Sequence, residues 1–276
     1  MIIDKLKKLL PEKNISKKSV LAFVIILSIG LFSFLAFYIY NQYYPKEITL
    51  GLITDIHAGD QKYREDGDDP ANNLFPSNYE KNMLLALENL KDADIIMTLG
   101  DNMNRGGRKH ARKLKEIAEN YPMVWTKGNH DKKNEFMEIL SPQTYYYVDK
   151  GAWRIIILDN SEKYPDAVDD MEEHGRGYID KDQMDWLEKS LKTRKKVAVA
   201  MHIPMLRRNN LEELRPDYKE LEKILAESGN VKYVFSGHFH VVDWNKKING
   251  VKYYIIPSLS LENHEGQFKK IILNNE

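Results

Sequence analysis

Five short apolar runs, each closing on residues that bind metals or move protons, constrain this chain more than any other feature. Residues 48–57 read ITLGLITDIH and end on Asp55-x-His57. Residues 93–101, ADIIMTLGD, end on Gly100-Asp101, and 122–131, PMVWTKGNHD, end on Gly128-Asn129-His130-Asp131. Residues 197–204, VAVAMHIP, carry His202, and 231–240, VKYVFSGHFH, end on Gly237-His238-x-His240. Continuous aliphatic runs of this length read as strands buried on both faces. Between the first three lie helical patterns: Met83, Leu84, Leu87 and Leu90 within 78–91, and a basic stretch over 107–120. Strands alternating with helices predict a parallel α/β sheet. Parallel strands present their C-terminal ends to one crevice, where ligands bind. The five ends therefore bring three carboxylates, five imidazoles and one amide to a single edge.

The rest of the chain agrees with an α/β domain. TYYYVD (144–149) and WRIIILDN (153–160) read as paired strands, 180–192 and 218–228 as helices, and 251–258 and 267–274 as closing strands. Residues 58–77 read as a polar loop, with Glu65, Asp66, Asp68 and Asp69 a solvated acidic stretch. Five of the eight histidines fall at the strand ends; His110, His174 and His264 do not. A lone D-x-H or G-D carries little information, but five such ends in order define one site. Mixed histidine and carboxylate donors suit divalent zinc, iron, manganese, cobalt or nickel. The donors outnumber what one tetrahedral ion uses. Two ions about 3.5–4 Å apart, sharing a carboxylate, use them well.

The ordered set D-x-H, G-D, G-N-H-D, H and G-H-x-H, spread over about residues 48–260, resembles the calcineurin-like metallophosphoesterase superfamily. The resemblance implies an α/β fold: a four-layer sandwich of two mixed sheets flanked by helices. It implies two divalent metal ions, with manganese, iron or zinc favoured. Asp55, His57 and His240 would hold one ion and Asn129, His202 and His238 the other, with Asp101 bridging. It makes His130 the catalytic acid/base. Asn129 and Arg105 are candidate contacts for the substrate phosphate; a solvated loop position is an equal expectation for Arg105. Residues 175–191, GRGYIDKDQMDWLEKSL, followed by VAVAMHIP, resemble the cyclic-nucleotide phosphodiesterase and purple-acid-phosphatase side of the superfamily. Where the protein-phosphatase pattern reads G-D-x-x-D-R-G, this chain reads GDNMNRG over 100–106, so Asn104 replaces the acid that partners the catalytic histidine there. Asp131 is a candidate substitute. The expected activity is hydrolysis of phosphodiesters or small phosphomonoesters. A metal-dependent nuclease, a protein phosphatase and a silent membrane sensor or scaffold are the alternatives.

Ser19 to Tyr40, SVLAFVIILSIGLFSFLAFYIY, contains no charge, and the next charged residue is Lys46. Such a run spans the ~30 Å hydrocarbon core at ~1.5 Å per residue. Tyr38, Tyr40, Tyr43 and Tyr44 stand where aromatic rings favour the membrane interface. The bulky FYIYNQYY stretch has no small-x-small cleavage pattern, which favours an anchor over a removed signal. Six lysines precede residue 19 against Asp4 and Glu12, so the positive-inside rule predicts a cytoplasmic tail (1–18), a transmembrane helix (19–40), a linker (41–46) and an extracytoplasmic domain (47–276). Expected partners are the bilayer and a small-molecule phosphate ester. The remaining 35 basic and 39 acidic residues leave no footprint for non-specific nucleic-acid binding. The absence of cysteine excludes disulfides, thiolate metal sites and a thiol nucleophile.

Overall fold

The computed structural model describes residues 17–43, 47–62, 64–65, 73–105, 107–162, 177–261 and 267–274. Most of the expected basic tail, Asp66, Asp68, Asp69, His174, His264 and residues 175–176 lie outside the described residues. The chain divides into two units, Met1–Pro45 and Lys46–Glu276. In the first, α1 (Lys17–Tyr43) is one 27-residue helix, longer at both ends than the expected span 19–40. Leu21, Phe23, Ile26, Phe32 and Phe34 are all exposed, so apolar side chains face every direction. Ser28 Oγ donates to Val24 O at 2.8 Å, satisfying a hydroxyl inside the apolar span. The helix is long and apolar enough to cross a membrane.

The second unit holds two large mixed sheets. In chain order its elements begin with β1 (Ile48–Ile53), α2 (Tyr79–Leu90), β2 (Ile95–Thr98), α3 (Arg108–Ile117), β3 (Met123–Val124), α4 (Lys133–Ile139), β4 (Tyr146–Lys150) and β5 (Trp153–Ile157). They continue with α5 (Lys181–Ser190), β6 (Lys196–Ala200), β7 (Leu206–Arg207), β8 (Asn210–Leu214), α6 (Lys219–Glu227), β9 (Val231–Ser236), β10 (Trp244–Ile248), β11 (Val251–Ile255) and β12 (Lys269–Leu273). One sheet runs β12-β1-β2-β3, the other β10-β11-β9-β6-β5-β4, and β7-β8 form a separate hairpin. β1, β2 and β3 are parallel, as are β5, β6, β9 and β11. β12, β4 and β10 join antiparallel.

Strand alternation builds the layers. Leu50 and Leu52 of β1 meet Ile155, Ile157, Ala198, Ala200, Tyr233 and Phe235 in a core between the sheets. The intervening Ile53 and Ile96 face Met83, Leu87, Leu114 and Phe136 of α2, α3 and α4. On the other side Ile156, Val197, Val199 and Val234 pack against Leu187, Leu221 and Leu225 of α5 and α6. The result is the expected helix–sheet–sheet–helix sandwich. Asp180 caps α5 by accepting from Gln183 N at 2.8 Å, which starts that helix at the beginning of the expected 180–192 segment.

The helix α4, the β7–β8 hairpin and β10 are additions to the elements expected from the sequence. β3 is only two residues long. The strands stop short of their motifs: β1 ends at Ile53 and β2 at Thr98, and the motif residues lie in the loops beyond.

Candidate metal centre and active site

The two sheets bring their loops together at one edge. Loops after β1, β2 and β3 carry Asp55, His57, Asp101, Asn129 and His130; those after β6 and β9 carry His202, His238 and His240. Asp55, His57, Asp101 and His240 form one group whose donor atoms lie within 4.8 Å of one another. Asp101, His202 and His238 form a second group meeting the same limit, so Asp101 is common to both. His240 Nε2 lies 3.3 Å from Asp55 Oδ1 and 3.2 Å from His57 Nε2. His202 Nε2 lies 3.2 Å from Asp101 Oδ2, 3.0 Å from Asn129 Oδ1 and 3.3 Å from His238 Nδ1. Eight of the nine residues singled out at the site are thus brought together; Arg105 is not.

The chain strains its backbone to achieve this. Asp55, His57, Asp101, His238 and His240 all adopt left-handed φ, between 41° and 69°. Such conformations in non-glycine residues cost free energy and persist only where surrounding structure imposes them. Two motif glycines permit the close approach. A Cβ on Gly237 would lie 1.9 Å from Thr54 Oγ1, and one on Gly128 would lie 2.0 Å from Asp101 N. No larger residue fits either place.

Surrounding groups orient the donors. Thr54 Oγ1 donates to Asp55 Oδ2 at 2.6 Å, and His238 N donates to the same oxygen at 2.9 Å. His130 N donates to Asp101 Oδ1 at 2.8 Å. His202 Nδ1 donates to Leu99 O at 2.8 Å, which turns its Nε2 toward Asp101 and Asn129. The other carboxylate oxygens, Asp55 Oδ1 and Asp101 Oδ2, are buried and accept no well-directed hydrogen bond among the described residues; imidazole nitrogens face them at 3.2–3.8 Å. Buried carboxylate oxygens facing nitrogen donors call for a cation between them.

Electrostatics agree. Burial holds His57 well below the usual imidazole range and takes His238 down to about 3, with His202 adding to the effect on His238. Both are then neutral, the form that ligates metal. Burial opposes charge on Asp101, but His202, His130 and His57 outweigh it and hold its carboxyl well below the usual range. Burial also opposes charge on His202, yet Asp101 pushes that imidazole up to about 9. The space around Asp101 favours positive charge, which divalent cations supply. The residues therefore fit a pair of divalent ions in donor type, number and charge.

Asp131, the candidate partner for His130, is used otherwise. Its Oδ2 accepts from Asn102 N (3.1 Å), Asn102 Nδ2 (2.8 Å) and Gly128 N (2.9 Å), and its Oδ1 from Met103 N (2.8 Å). The carboxylate clamps the loop after β2 to the loop after β3. Asn104 accepts from Arg64 Nη1 at 3.2 Å and donates to Gln61 at 3.1 Å. Arg105 lies in the wall of a pocket of about 500 Å³ with Gln61, Arg64, Glu65 and Asn104. Arg64 is the guanidinium that His130 feels: burial lowers the His130 pKa first, Asp101 opposes, and Arg64 lowers it further. Spacing gave no sign of Arg64, because it sits in a polar loop. Backbone pairing of Arg64 with Leu74, 2.9 Å each way, holds that loop in place.

The family model for calcineurin-like phosphoesterases matches residues 48–242, which contain every residue of the cluster. The chain belongs to this family. It is a metal-dependent phosphoric ester hydrolase with the metallophosphoesterase fold. The chain is similar to a probable cyclic nucleotide phosphodiesterase of Fibrobacter succinogenes, 24% identical over 227 residues, covering 79% of this chain and 82% of the relative. It is 26% identical over 172 residues to the glycerophosphodiester phosphodiesterase GpdQ of Enterobacter lignolyticus, covering 53% of this chain and 56% of that protein. Among solved structures, a dimetal phosphatase from Danio rerio superposes with a TM-score of 0.66 at 14% identity, covering 83% of this chain and 93% of the other. For this phosphoesterase, that likeness shows the two-sheet sandwich alone.

Proposed function

We propose that the chain is a membrane-anchored dinuclear phosphoesterase that hydrolyses phosphodiesters or small phosphomonoesters outside the cytoplasm. One observation carries the proposal: Asp101 belongs to both donor groups, and the partly exposed His130 ring stands beside it with Nε2 4.0 Å from Asp101 Oδ2. Asp55, His57, Asp101 and His240 would hold one divalent ion and Asp101, Asn129, His202 and His238 a second, and the pair would supply Lewis acidity and lower the pKa of a bound water. Asn129, whose Oδ1 faces His202, has an amide NH₂ to offer a phosphate oxygen. His130 donates a proton to the leaving alkoxide, a contribution of typically ~10²–10⁴-fold. Arg64, whose charge acts on His130, offers a guanidinium contact to the ester, and Arg105 lines the same pocket wall as Arg64. Thr54, Leu99 and the His130 backbone keep the donors aimed.

The membrane part of the proposal rests on α1, on the six lysines before residue 19 and on the tyrosines at its far end. Diester or small-molecule substrates are favoured because Asn104 replaces the second acid of the protein-phosphatase motif, and because two curated relatives are named phosphodiesterases.

The test uses the full chain in detergent. Chelation is expected to abolish turnover, and manganese, iron or zinc to restore it. Asp101→Ala is expected to be inactive under every metal condition. On one metal, kcat/KM for bis-nitrophenyl phosphate, nitrophenyl phosphate and a cyclic nucleotide should include values above that for a phosphopeptide. Full activity after thorough chelation would sink the two-metal assignment, and a phosphopeptide turned over fastest would overturn the substrate ranking.

A further inference from the structure

Next to the metal centre, on the side of His238, lies a pocket of about 470 Å³ that the proposed chemistry does not use. Its wall includes His238, Phe239, Arg207, Arg208, Asn209 and Arg215. The hairpin β7–β8, which no spacing pattern predicted, supplies Arg207 and the turn residues Arg208 and Asn209. Leu206 and Phe239 pack with Ile255, and Leu211 and Leu214 lie against them, which docks the hairpin on the residue directly after His238.

The pocket wall carries three arginines against one carboxylate, Asp217, in a domain that is otherwise slightly acidic. Two of its arginines have acidic neighbours: Arg207 Nε lies 3.2 Å from Glu213 Oε1, and Arg215 Nη2 lies 3.9 Å from Asp217 Oδ2. Arg208 is exposed and has no carboxylate within ion-pair distance among the described residues. Its guanidinium sits 5.8 Å from the centroid of the Phe239 ring. A planar cation held beside an aromatic face at the mouth of a pocket suits an anionic group carried on a flat or apolar frame. Arginine binds phosphate oxygens in pairs, which adds direction to the charge.

We propose that this pocket is a subsite for a second anionic group, so that the preferred substrate is a phosphate ester with another phosphate or carboxylate beyond the reacting one, and that Arg208 determines this specificity. The inference rests on the phosphoesterase reading for the position of the reacting phosphate at the metal centre. Phe239 forms the apolar wall for the part of the substrate between the two charges, and Asn209 offers an amide at the pocket wall.

The test compares binding of thymidine 3′,5′-bisphosphate and thymidine 5′-monophosphate to the full-length, metal-loaded chain by isothermal titration. The bisphosphate is expected to bind about tenfold more tightly, the scale of one charge-assisted contact. Arg208→Ala should bring the ratio of the two dissociation constants close to one, and Arg208→Lys should keep part of the preference. Because Arg208 is exposed, neither substitution endangers folding. Equal binding of the two probes to the unaltered protein, or a ratio unchanged by Arg208→Ala, would overturn the proposal. So would a preference lost in Arg64→Ala but kept in Arg208→Ala, since the second phosphate would then occupy the pocket lined by Arg64 and Arg105. Hydrolysis of bis-nitrophenyl phosphate is measured on the same preparation. Discrimination in binding without any turnover would refute the phosphoesterase reading and leave the subsite standing.

Discussion

Replacing Asp131 separates two roles for the residue beside the catalytic histidine. Its buried carboxylate accepts four N–H groups: the backbone of Asn102, Met103 and Gly128 and the Asn102 side chain. Leaving a buried donor without an acceptor costs about 1–3 kcal/mol, so four donors at the low end give about 4 kcal/mol. Part of that is offset, because burial and then the Asp101 charge push the Asp131 carboxyl up to about 6, making its ionised form costly where it sits. Asp131→Ala should therefore lower stability by about 3 kcal/mol, or roughly 6–12 °C in Tm for a domain of this size. Asp131→Asn keeps the volume and one oxygen for the three donors at Oδ2, but turns an NH₂ toward Met103 N. Its cost should be smaller, about 1–2 kcal/mol. Thermal unfolding followed by tryptophan fluorescence reads both variants, with Trp125 close to the affected loops. Measurements with metal loaded and with metal chelated keep ligand stabilisation separate from the intrinsic loss. An Asp131→Ala protein with an unchanged Tm in both states but no turnover would refute the clamp and make Asp131 the partner of His130.

Three further outcomes are expected. His130→Ala should keep its metal while turnover of a diester with a poor leaving group falls at least ~10²-fold and nitrophenolate esters suffer less; equal losses, or loss of metal, would show that His130 has another role. Gly237→Ala should lose bound metal and fold poorly, because its Cβ would lie 1.9 Å from Thr54 Oγ1 and 2.5 Å from Asp55 Oδ2; elemental analysis showing two equivalents of metal in a variant of native Tm would refute the close approach. Protease added to intact cells should release a soluble fragment beginning near residues 41–47, and cleavage seen only after permeabilisation would reverse the topology.

How much was legible in the chain differs from element to element. The five strand-end motifs could be read directly because burial on both faces demands unbroken apolar runs, and parallel strands must place their C-terminal ends on one side. α1 was legible for a related reason, since an uninterrupted apolar run without charge, long enough to cross a hydrocarbon layer, reads as one helix. The hairpin joining β10 to β11 also carried a signal, the Asn249-Gly250 pair with φ of 48° and 86°, although the strand before it is polar and was missed. α4 is seven residues long, too short to show a helical period.

The sequence by itself determined the alternation of strands and helices, the donor types and their order, because periodicity and strand ends are local and follow from burial alone. Only the tertiary structure decided how those pieces close. β12 pairs with β1 across more than 200 residues, Ile48 opposite Leu273, and no local pattern encodes that register. Left-handed φ at Asp55, His57 and Asp101 is imposed by contacts such as Thr54 with Asp55 and His130 N with Asp101, against the intrinsic preference of each residue. Arg64, Arg105, Arg207 and Arg208 look alike in a sequence, as charged residues in polar stretches. Which of them stands beside His130 and which beside His238 is decided by how two loops and a hairpin pack on the sandwich, because a long polar side chain takes its place from its tertiary neighbours and carries no periodicity of its own.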